Sequence, residues 1–138
     1  MNTTLSFIKL ASEIRVKAYA PYSRHRVGAC LVTQDDHIFL GVNVENCSFP
    51  LGVCAERVAI YKAVSEGYLK FKKLVLVTGN EEISAPCGGC RQVIREFAPD
   101  LEIIVANPKN LYKTFFLKDL LPHAFSPESY LKGQDPSS

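Results

Sequence analysis

Two cysteine-containing segments, each at the start of a predicted helix, constrain the fold of this chain more than any other feature. They are Cys54-Ala55-Glu56-Arg57 and Pro86-Cys87-Gly88-Gly89-Cys90. Cys87 and Cys90 are three residues apart and therefore share one helix face, which continues to Phe97. We expect both of these thiols to point inward, so the fold has to bring the starts of two helices together around sulfur atoms.

The helix that begins at Cys54 carries a charged residue on its apolar face. Its predicted buried positions are Glu56, Ala59, Ile60 and Ala63. A carboxylate is costly to bury unless it has a partner or a task. We therefore predict that Glu56 acts chemically beside the cysteines.

Three thiolates from two helix N-termini form a zinc site with an open fourth position, which is the catalytic arrangement. We predict that Cys54, Cys87 and Cys90 bind one Zn²⁺ per chain, aided by the helix dipoles. Zinc with three thiolates carries one net negative charge. Arg57, three residues after Cys54, lies on the correct face to compensate for it, and Arg91, four residues after Cys87, is a second candidate.

Two other interpretations of the cysteines remain open at this point. Paired cysteines on a buried helix face are often ordinary core residues. A structural four-cysteine zinc site that uses Cys30 or Cys47 is also conceivable. The joint occurrence of Cys-x-Glu and Pro-Cys-x-x-Cys, both at helix starts, favours the catalytic site.

Length and composition indicate one globular domain. The chain has 138 residues, of which 47% are hydrophobic and 22% charged, with a formal net charge of +2. We predict a single catalytic domain over residues 1–132 and a flexible tail over 133–138. Five cysteines, an odd number, argue against a disulfide framework, and no membrane span or secretion signal is evident, which favours the cytoplasm. The basic cluster 24–26 is too short for a nucleic-acid surface.

Hydrophobic periodicity predicts alternating helices and strands. Helices are expected at 4–19, ended by Pro21, at 53–65, with Gly67 as C-cap, at 86–97 and at 127–131. Strands are expected at 27–33, 38–42, 73–78, 102–106 and 113–117. This order predicts an α/β fold with a mixed sheet covered on both faces, in which the strand between two helices pairs in parallel with a neighbour.

Six short motifs resemble the small homotetrameric zinc-dependent cytidine deaminases. They are Pro21-Tyr22-Ser23, Val27-Gly28-Ala29, Asn43-Val44-Glu45-Asn46, Cys54-Ala55-Glu56-Arg57, Pro86-Cys87-Gly88-x-Cys90-Arg91-Gln92-Val93 and Leu120-Leu121-Pro122-x-Ala124-Phe125. The resemblance spans roughly residues 14 to 131. It implies a three-layer helix–sheet–helix sandwich around a five-stranded mixed sheet. It also implies a homotetramer that hydrolyses free cytidine and deoxycytidine to uridine and deoxyuridine, with release of ammonia, in pyrimidine salvage.

The resemblance also implies substrate-binding roles. Asn43 and Glu45 correspond to the pair that holds the ribose 3′-hydroxyl and the base, and an acidic group there disfavours a phosphate. The backbone of Ala55 would contact the base carbonyl. Phe125 corresponds to an aromatic residue that reaches into the site of a neighbouring subunit, and His25 occupies a position beside the base.

The implied mechanism centres on Glu56. Zinc lowers the pKa of its bound water from 15.7 toward about 7. Glu56 takes the proton of this water, delivers it to the ring nitrogen N3, and later supplies a proton to the departing amino group.

Some positions depart from the family pattern. His25 stands where Phe is usual, Phe49 where Tyr is frequent, and Ala85 where Ser is usual. Cys30 and Cys47 replace small residues, and we expect them only to fill space.

Three rival functions can be separated from this interpretation. Deaminases of blasticidin-type antibiotics share the zinc motifs but lack the segment present at 43–46. Nucleic-acid deaminases usually have His at the position of Cys54. A zinc module without enzymatic activity needs no glutamate at position 56.

Overall fold

The computed structural model describes residues 3–132. The predicted tail at 133–138 lies outside the described residues. No helix among residues 3–132 is long and apolar enough to cross a membrane.

Helices and strands alternate along most of the chain. The helices are α1 (Thr4–Arg15), α2 (Ala55–Ser65), α3 (Gly88–Phe97), α4 (Leu117–Leu120) and α5 (Pro127–Lys132), with a short 3-10 turn at Phe49–Leu51. The strands are β1 (Gly28–Thr33), β2 (Ile38–Val42), β3 (Phe71–Val77), β4 (Glu102–Ala106) and β5 (Tyr112–Phe116). The predicted α/β class and all five predicted strands are confirmed.

The five strands form one mixed sheet in the order β2-β1-β3-β4-β5. Strands β3 and β4 are parallel, with Leu74 opposite Ile103, and α3 makes the crossover between them. All other neighbours are antiparallel. The expected parallel pairing of the strand between two helices is therefore confirmed.

Each face of the sheet has its own apolar core, so the fold has three layers. Alternate residues of the central strands point to opposite sides. One core joins Phe7, Ile8 and Ala11 of α1 to residues such as Cys30 and Val75. The other joins α2 and α3 to the opposite face of the sheet and contains the buried residues Ala59, Ile60, Leu74, Ile94 and Ile103. The helix–sheet–helix sandwich predicted from the resemblance is confirmed.

Two glycines let the helices approach the sheet closely. A Cβ at Gly28 would lie 2.0 Å from the carbonyl oxygen of Ala11, and a Cβ at Gly41 would lie 2.5 Å from that of Ala55. Larger residues would push α1 or α2 away from the sheet. The absence of a side chain at Gly41 thus sets how closely the N-terminus of α2, where Cys54 lies, approaches the sheet.

The first helix is shorter than predicted. It ends at Arg15, not at 19. The Tyr19 amide donates to the carbonyl oxygen of Asn43 at 3.0 Å, and the Glu45 amide donates to that of Tyr19 at 2.9 Å. This pairing with the chain after β2 replaces the last helical turn, because a long-range interaction satisfies the same backbone groups.

Two further boundaries differ from the prediction. Helix α3 begins at Gly88, and Cys87 caps it, whereas the sequence suggested a start near Pro86. Residues 117–120 form the short helix α4 where the last strand was expected to end. Helix α2 ends at Ser65 as predicted, but its C-cap is Glu66, and Gly67 follows the cap with φ +93°.

Candidate active site

The N-termini of α2 and α3 meet at the cysteines. Cys54 is the N-cap of α2 and Cys87 is the N-cap of α3. The Sγ atom of Cys87 lies 3.9 Å from Sγ of Cys54 and 3.3 Å from Sγ of Cys90, and all three sulfurs lie within 4.8 Å of one another. The fold therefore brings together the three thiols that the sequence analysis singled out.

The sulfur triangle has the dimensions of a zinc site. At a zinc–sulfur distance of about 2.3 Å, tetrahedral geometry separates the sulfurs by about 3.8 Å. Sγ of Cys87 faces the sulfurs of Cys54 and Cys90 and lines the same cavity as Glu56, so both thiols of α3 point toward the cluster, as expected. Cys90 is fully buried, whereas Cys87, which as the cap precedes the helix, is exposed. Its exposure leaves one side of the triangle open to a substrate.

The four-cysteine alternative is not formed among residues 3–132. The thiol group there contains Cys54, Cys87 and Cys90 without a fourth cysteine. Cys30 lies in the core under α1, on the other face of the sheet, and burial raises the pKa of its thiol to about 12. Cys47 is exposed and its Sγ lies 3.8 Å from Oδ1 of Asn46. The expectation that Cys30 fills space is confirmed, but for Cys47 it is wrong.

A guanidinium group lies against the thiols. Nη2 of Arg57 donates to Sγ of Cys54 at 3.4 Å. Nε of Arg57 is buried without a hydrogen-bond partner in the described part of the chain. Hydrogen bonding from Cys90, followed by the Arg57 contact, lowers the pKa of the Cys54 thiol. This arrangement favours negative charge on the Cys54 sulfur, and the role of Arg57 toward a bound zinc stays a prediction.

Arg91 lies beside the segment that leads to Cys87. Its Nε donates to the carbonyl oxygen of Pro86 at 2.7 Å, and its Nη1 donates to that of Leu120 at 3.0 Å. The guanidinium therefore joins the segment before Cys87 to α4. Because these bonds leave its positive charge in place, the suggested offset of the thiolate charge by Arg91 stays a prediction.

Glu56 is a buried carboxyl group beside the thiols. Glu56 is only 6% exposed, and it lines the same cavity as Cys54 and Cys87. Burial raises the pKa of Glu56, and the negative charge of Cys54 raises it further. A raised pKa suits a carboxyl group that has to donate a proton as well as accept one.

The cavity above the thiols is small and mostly apolar. Its volume is about 250 Å³. Its apolar walls include Val27, Ala55, Leu76 and Val105, contributed by the sheet and by the start of α2. A flat heterocycle suits such a space, with Glu56 and the thiols on one side of it.

Asn43 and His25 lie together at the mouth of this cavity. Oδ1 of Asn43 accepts a hydrogen bond from the Val27 amide at 2.8 Å, and its Nδ2 donates to the carbonyl oxygen of His25 at 2.7 Å. Asn43 thus fixes the loop before β1 and holds the exposed His25 at the cavity wall. Ala55, the first residue of α2, is fully buried and also lines the cavity.

Glu45 lies beside the cavity and does not line it. Its Oε1 accepts hydrogen bonds from the amides of Tyr22 at 3.0 Å and Ser23 at 3.1 Å, and its Oε2 accepts one from the Ser23 hydroxyl. The Ser23 hydroxyl, and then these amides, lower the pKa of the Glu45 carboxyl. Glu45 faces an adjoining cavity of about 400 Å³, which Phe49 also lines.

Phe125 is remote from the cysteine cavity of its own chain. Its side chain is 64% exposed and packs edge-on against Tyr130, with ring centroids 6.3 Å apart. Its carbonyl oxygen accepts a hydrogen bond from Gln92 at 2.9 Å, which ties it to α3. Phe125 is not among the residues that line the cysteine cavity of its own chain, and its contact with a substrate stays a prediction.

The sequence analysis missed three polar residues of the cavity. Thr78, Asn80 and Ser84 line it from the segment after β3. The available signal was their position after the carboxyl end of a strand predicted to be parallel, where open α/β sheets bind their ligands.

This arrangement of sheet, helix ends and buried carboxyl group defines a metal-dependent hydrolytic enzyme. Residues 1–106 match the family described as "Cytidine and deoxycytidylate deaminase zinc-binding region". The chain belongs to this family.

Named relatives agree with this assignment. The chain is similar to "Cytidine deaminase" of Sporosarcina psychrophila, with 42% identity over 86% of this chain and 88% of the relative. It is 44% identical to "Probable cytidine deaminase" of Dictyostelium discoideum, over 90% of this chain and 84% of the relative.

A solved structure agrees as well. The crystal structure of cytidine deaminase from Burkholderia pseudomallei superposes with a TM-score of 0.86 and is 43% identical. The match covers 90% of this chain and 100% of that structure.

Proposed function

We propose that this protein hydrolyses free cytidine and deoxycytidine to uridine and deoxyuridine, with release of ammonia. The observation that carries the proposal is the buried carboxyl group of Glu56 in one small cavity with three clustered thiols. The names of the relatives support cytidine as the base-bearing substrate.

The thiols of Cys54, Cys87 and Cys90 hold one Zn²⁺ per chain in this proposal. When bound, zinc supplies a Lewis acid that makes a water molecule acidic at neutral pH. The spacing of the sulfurs and the guanidinium of Arg57 at Cys54 support this assignment.

Glu56 moves the protons. Its buried carboxylate accepts a proton from the attacking water and passes it to N3 of the cytosine ring, which makes C4 electrophilic. The water oxygen adds to C4, and Glu56 takes the second proton of that oxygen and gives it to the 4-amino group. The C4–N bond then breaks as the C4 carbonyl forms, and the amino group leaves as ammonia. The apolar walls of the cavity exclude competing water.

The remaining cavity residues orient the nucleoside. The amide of Ala55, at the start of α2, has no partner within its own helix and is available to the base carbonyl oxygen. Asn43 and Glu45 are proposed to bind the ribose, and His25 to pack near the base. Glu45 reaches the sugar by exchanging one of its bonds to the loop at Tyr22 and Ser23.

We further propose that four copies assemble and that Phe125 completes the cavity of a neighbour. The exposed aromatic and aliphatic side chains Phe49, Leu51 and Phe125 support this, with exposed fractions of 73%, 68% and 64%. Burying such surfaces between copies is favourable. The proposed setting is pyrimidine salvage in the cytoplasm, which fractionation of cells that express the protein would check.

Ammonia release from a substrate panel tests the proposed reaction. The panel contains cytidine, deoxycytidine, deoxycytidylate, blasticidin S and single-stranded DNA that contains cytosine. We expect turnover of the two free nucleosides and little of the other three, because the acidic group of Glu45 disfavours a phosphate near the sugar. Preferential turnover of deoxycytidylate, of the antibiotic or of DNA would contradict the assignment.

A further inference from the structure

One wall of the catalytic cavity is a chain segment that forms few hydrogen bonds to the rest of the fold. Segment 79–86 joins β3 to α3 and contributes Asn80, Ser84 and Ala85 to the cavity lining. It leads directly into Cys87. The position of this segment therefore affects both the substrate space and a predicted metal ligand.

The ends of this segment are attached to neighbouring elements. At one end, the Thr78 amide donates to the carbonyl oxygen of Ala106 at 3.1 Å. At the other, the carbonyl oxygen of Pro86 accepts from Arg91 at 2.7 Å. The intervening chain is mostly exposed, apart from the half-buried Ile83 and Ala85, of which Ile83 packs against the core.

A buried asparagine holds the middle of the segment. Asn107 follows β4 directly and is only 3% exposed. Its Nδ2 donates to the carbonyl oxygen of Glu81 at 3.1 Å. Within residues 3–132, this is the one hydrogen bond from a separate element to the backbone of 79–85. An exposed ion pair between Lys109 and Glu81, at 3.3 Å, adds little in water.

The oxygen and the nitrogen of the Asn107 side-chain amide bond to different parts of the chain. Its Oδ1 accepts from the amides of Lys109 at 2.9 Å and Leu111 at 3.1 Å, which shapes the turn between β4 and β5. Only its Nδ2 contacts the cavity segment. A substitution that changes the nitrogen alone therefore separates support of the segment from support of the turn.

We propose that Asn107 is a positioning residue, whose bond to the Glu81 carbonyl oxygen sets the place of residues 84–86 in the catalytic cavity. The effect on turnover rests on the proposed function, because residues 84–86 line the cavity that also contains Glu56 and the thiols. Misplacement by about 1 Å in an active site costs up to roughly 10²-fold in rate. A partial shift of a segment still attached at both ends costs less.

The test is Asn107→Asp. Aspartate keeps one acceptor oxygen for the turn, but its second oxygen replaces the donor nitrogen and repels the Glu81 carbonyl. We expect kcat for cytidine to fall by about tenfold with a KM change below about threefold, because ground-state binding elsewhere in the cavity is retained. Zinc content should stay unchanged, and amide hydrogen exchange at 79–85 should accelerate.

Asn110→Asp is the matched control. It makes the same chemical change in the same turn, three residues away, at a residue whose φ of +63° aspartate tolerates. Asn107→Ser is a second, uncharged variant, whose hydroxyl accepts from the turn but is too short to reach Glu81. It replaces the aspartate variant if the added charge prevents folding.

Unchanged kcat together with unchanged exchange at 79–85 in Asn107→Asp or Asn107→Ser overturns the proposal. An equal loss of kcat in Asn110→Asp also overturns the proposal, since the loss would then come from the negative charge added to the turn. If the unmodified protein deaminates no pyrimidine nucleoside, the proposed function fails. The exchange comparison, which needs no substrate, still decides whether Asn107 holds the segment.

Discussion

Nη2 of Arg57 lies 3.4 Å from Sγ of Cys54, one helical turn away on α2. The guanidinium faces the sulfur while the carboxyl group of Glu56, between them in sequence, is buried in the cavity. A positive charge at this place favours negative charge on the Cys54 sulfur. The same helical turn thus holds a predicted ligand, its charge partner and the predicted proton carrier.

Replacing the charge at position 57 should weaken metal binding. We expect Arg57→Gln to lower zinc affinity or activity about 10- to 100-fold, as is typical for groups that support metal ligands. A chelator competition measures the affinity. Arg95→Gln serves as the control, because Arg95 pairs with Glu128 on the surface at 3.7 Å. Equal zinc affinities for Arg57→Gln and the unmodified protein would refute the charge-compensating role of Arg57.

Glu56→Gln should separate proton transfer from folding. The amide cannot carry protons, so we expect activity to fall by at least about 10²- to 10⁴-fold. The thermal unfolding midpoint should not decrease, because the variant buries no carboxylate, and zinc content should remain the same. Glu66→Gln, at the exposed C-cap of the same helix, is the control. Near-normal turnover by Glu56→Gln would disprove the mechanism.

Removing zinc should change which cysteines react with a thiol reagent. In the zinc-loaded protein we expect Cys47 alone to react rapidly, because Cys30 is buried and has its pKa raised to about 12. After chelation, Cys54 and Cys87 should also react, since neither is fully buried. Mass spectrometry of the labelled sites measures this. Cys47→Ser should abolish the rapid reaction before chelation, and early labelling of Cys90 in the loaded protein would contradict the predicted site.

The carboxylate of Glu45 should stabilise the folded protein in a pH-dependent way. Its folded-state pKa is lowered from 4.5, with the Ser23 hydroxyl as the largest cause. The unfolded state therefore binds more protons in this range, so the contribution is fully present above about pH 4.5 and is lost as the pH falls through the folded-state pKa.

Denaturant unfolding of Glu45→Gln and of the unmodified protein, between about pH 7 and pH 3, measures this contribution. The difference between the two free energies of unfolding should shrink toward acid pH. Glu13→Gln is the control, because Glu13 makes no side-chain hydrogen bond among residues 3–132. A difference that stays constant with pH would show that the carboxylate bonds to the loop do not stabilise the fold.

Phe125 should act on substrate affinity through a second chain. We expect Phe125→Ala to raise KM roughly two- to tenfold, the range of an aromatic stacking contact, with zinc content unchanged. Light scattering should show about four chains per particle for the native protein. Leu69→Ala is the control, because Leu69 is also exposed, at 55%, but lies in the loop before β3. A monomer with full activity at assay concentration would rule out the shared cavity.

Local chemistry was enough to predict most of the elements and the cysteine cluster. Glu56 was singled out because a charged residue occurred at an apolar helical position, and the structure buries it to 6% exposure. Gly67 was identified as a helix end because a left-handed conformation suits glycine, and its φ is +93°. In each case, residues within one or two helical turns along the chain were enough to make the prediction.

Long-range contacts decided what the sequence analysis missed. The end of α1 depends on pairing between Tyr19 and the chain after β2, and the orientation of Arg91 depends on the carbonyl oxygen of Leu120. Such partners are far apart along the chain, so no local pattern identifies them.

The sequence by itself determined the class of fold, the three thiols and the buried carboxyl group, because helical spacing and residue chemistry dictate them. Only the tertiary structure decided that Glu45 binds the loop at Tyr22 and Ser23, and that Asn107 reaches the segment before Cys87. Those contacts join loops that separate strands have brought together. Their geometry follows from how the layers pack, which no stretch of the sequence contains on its own.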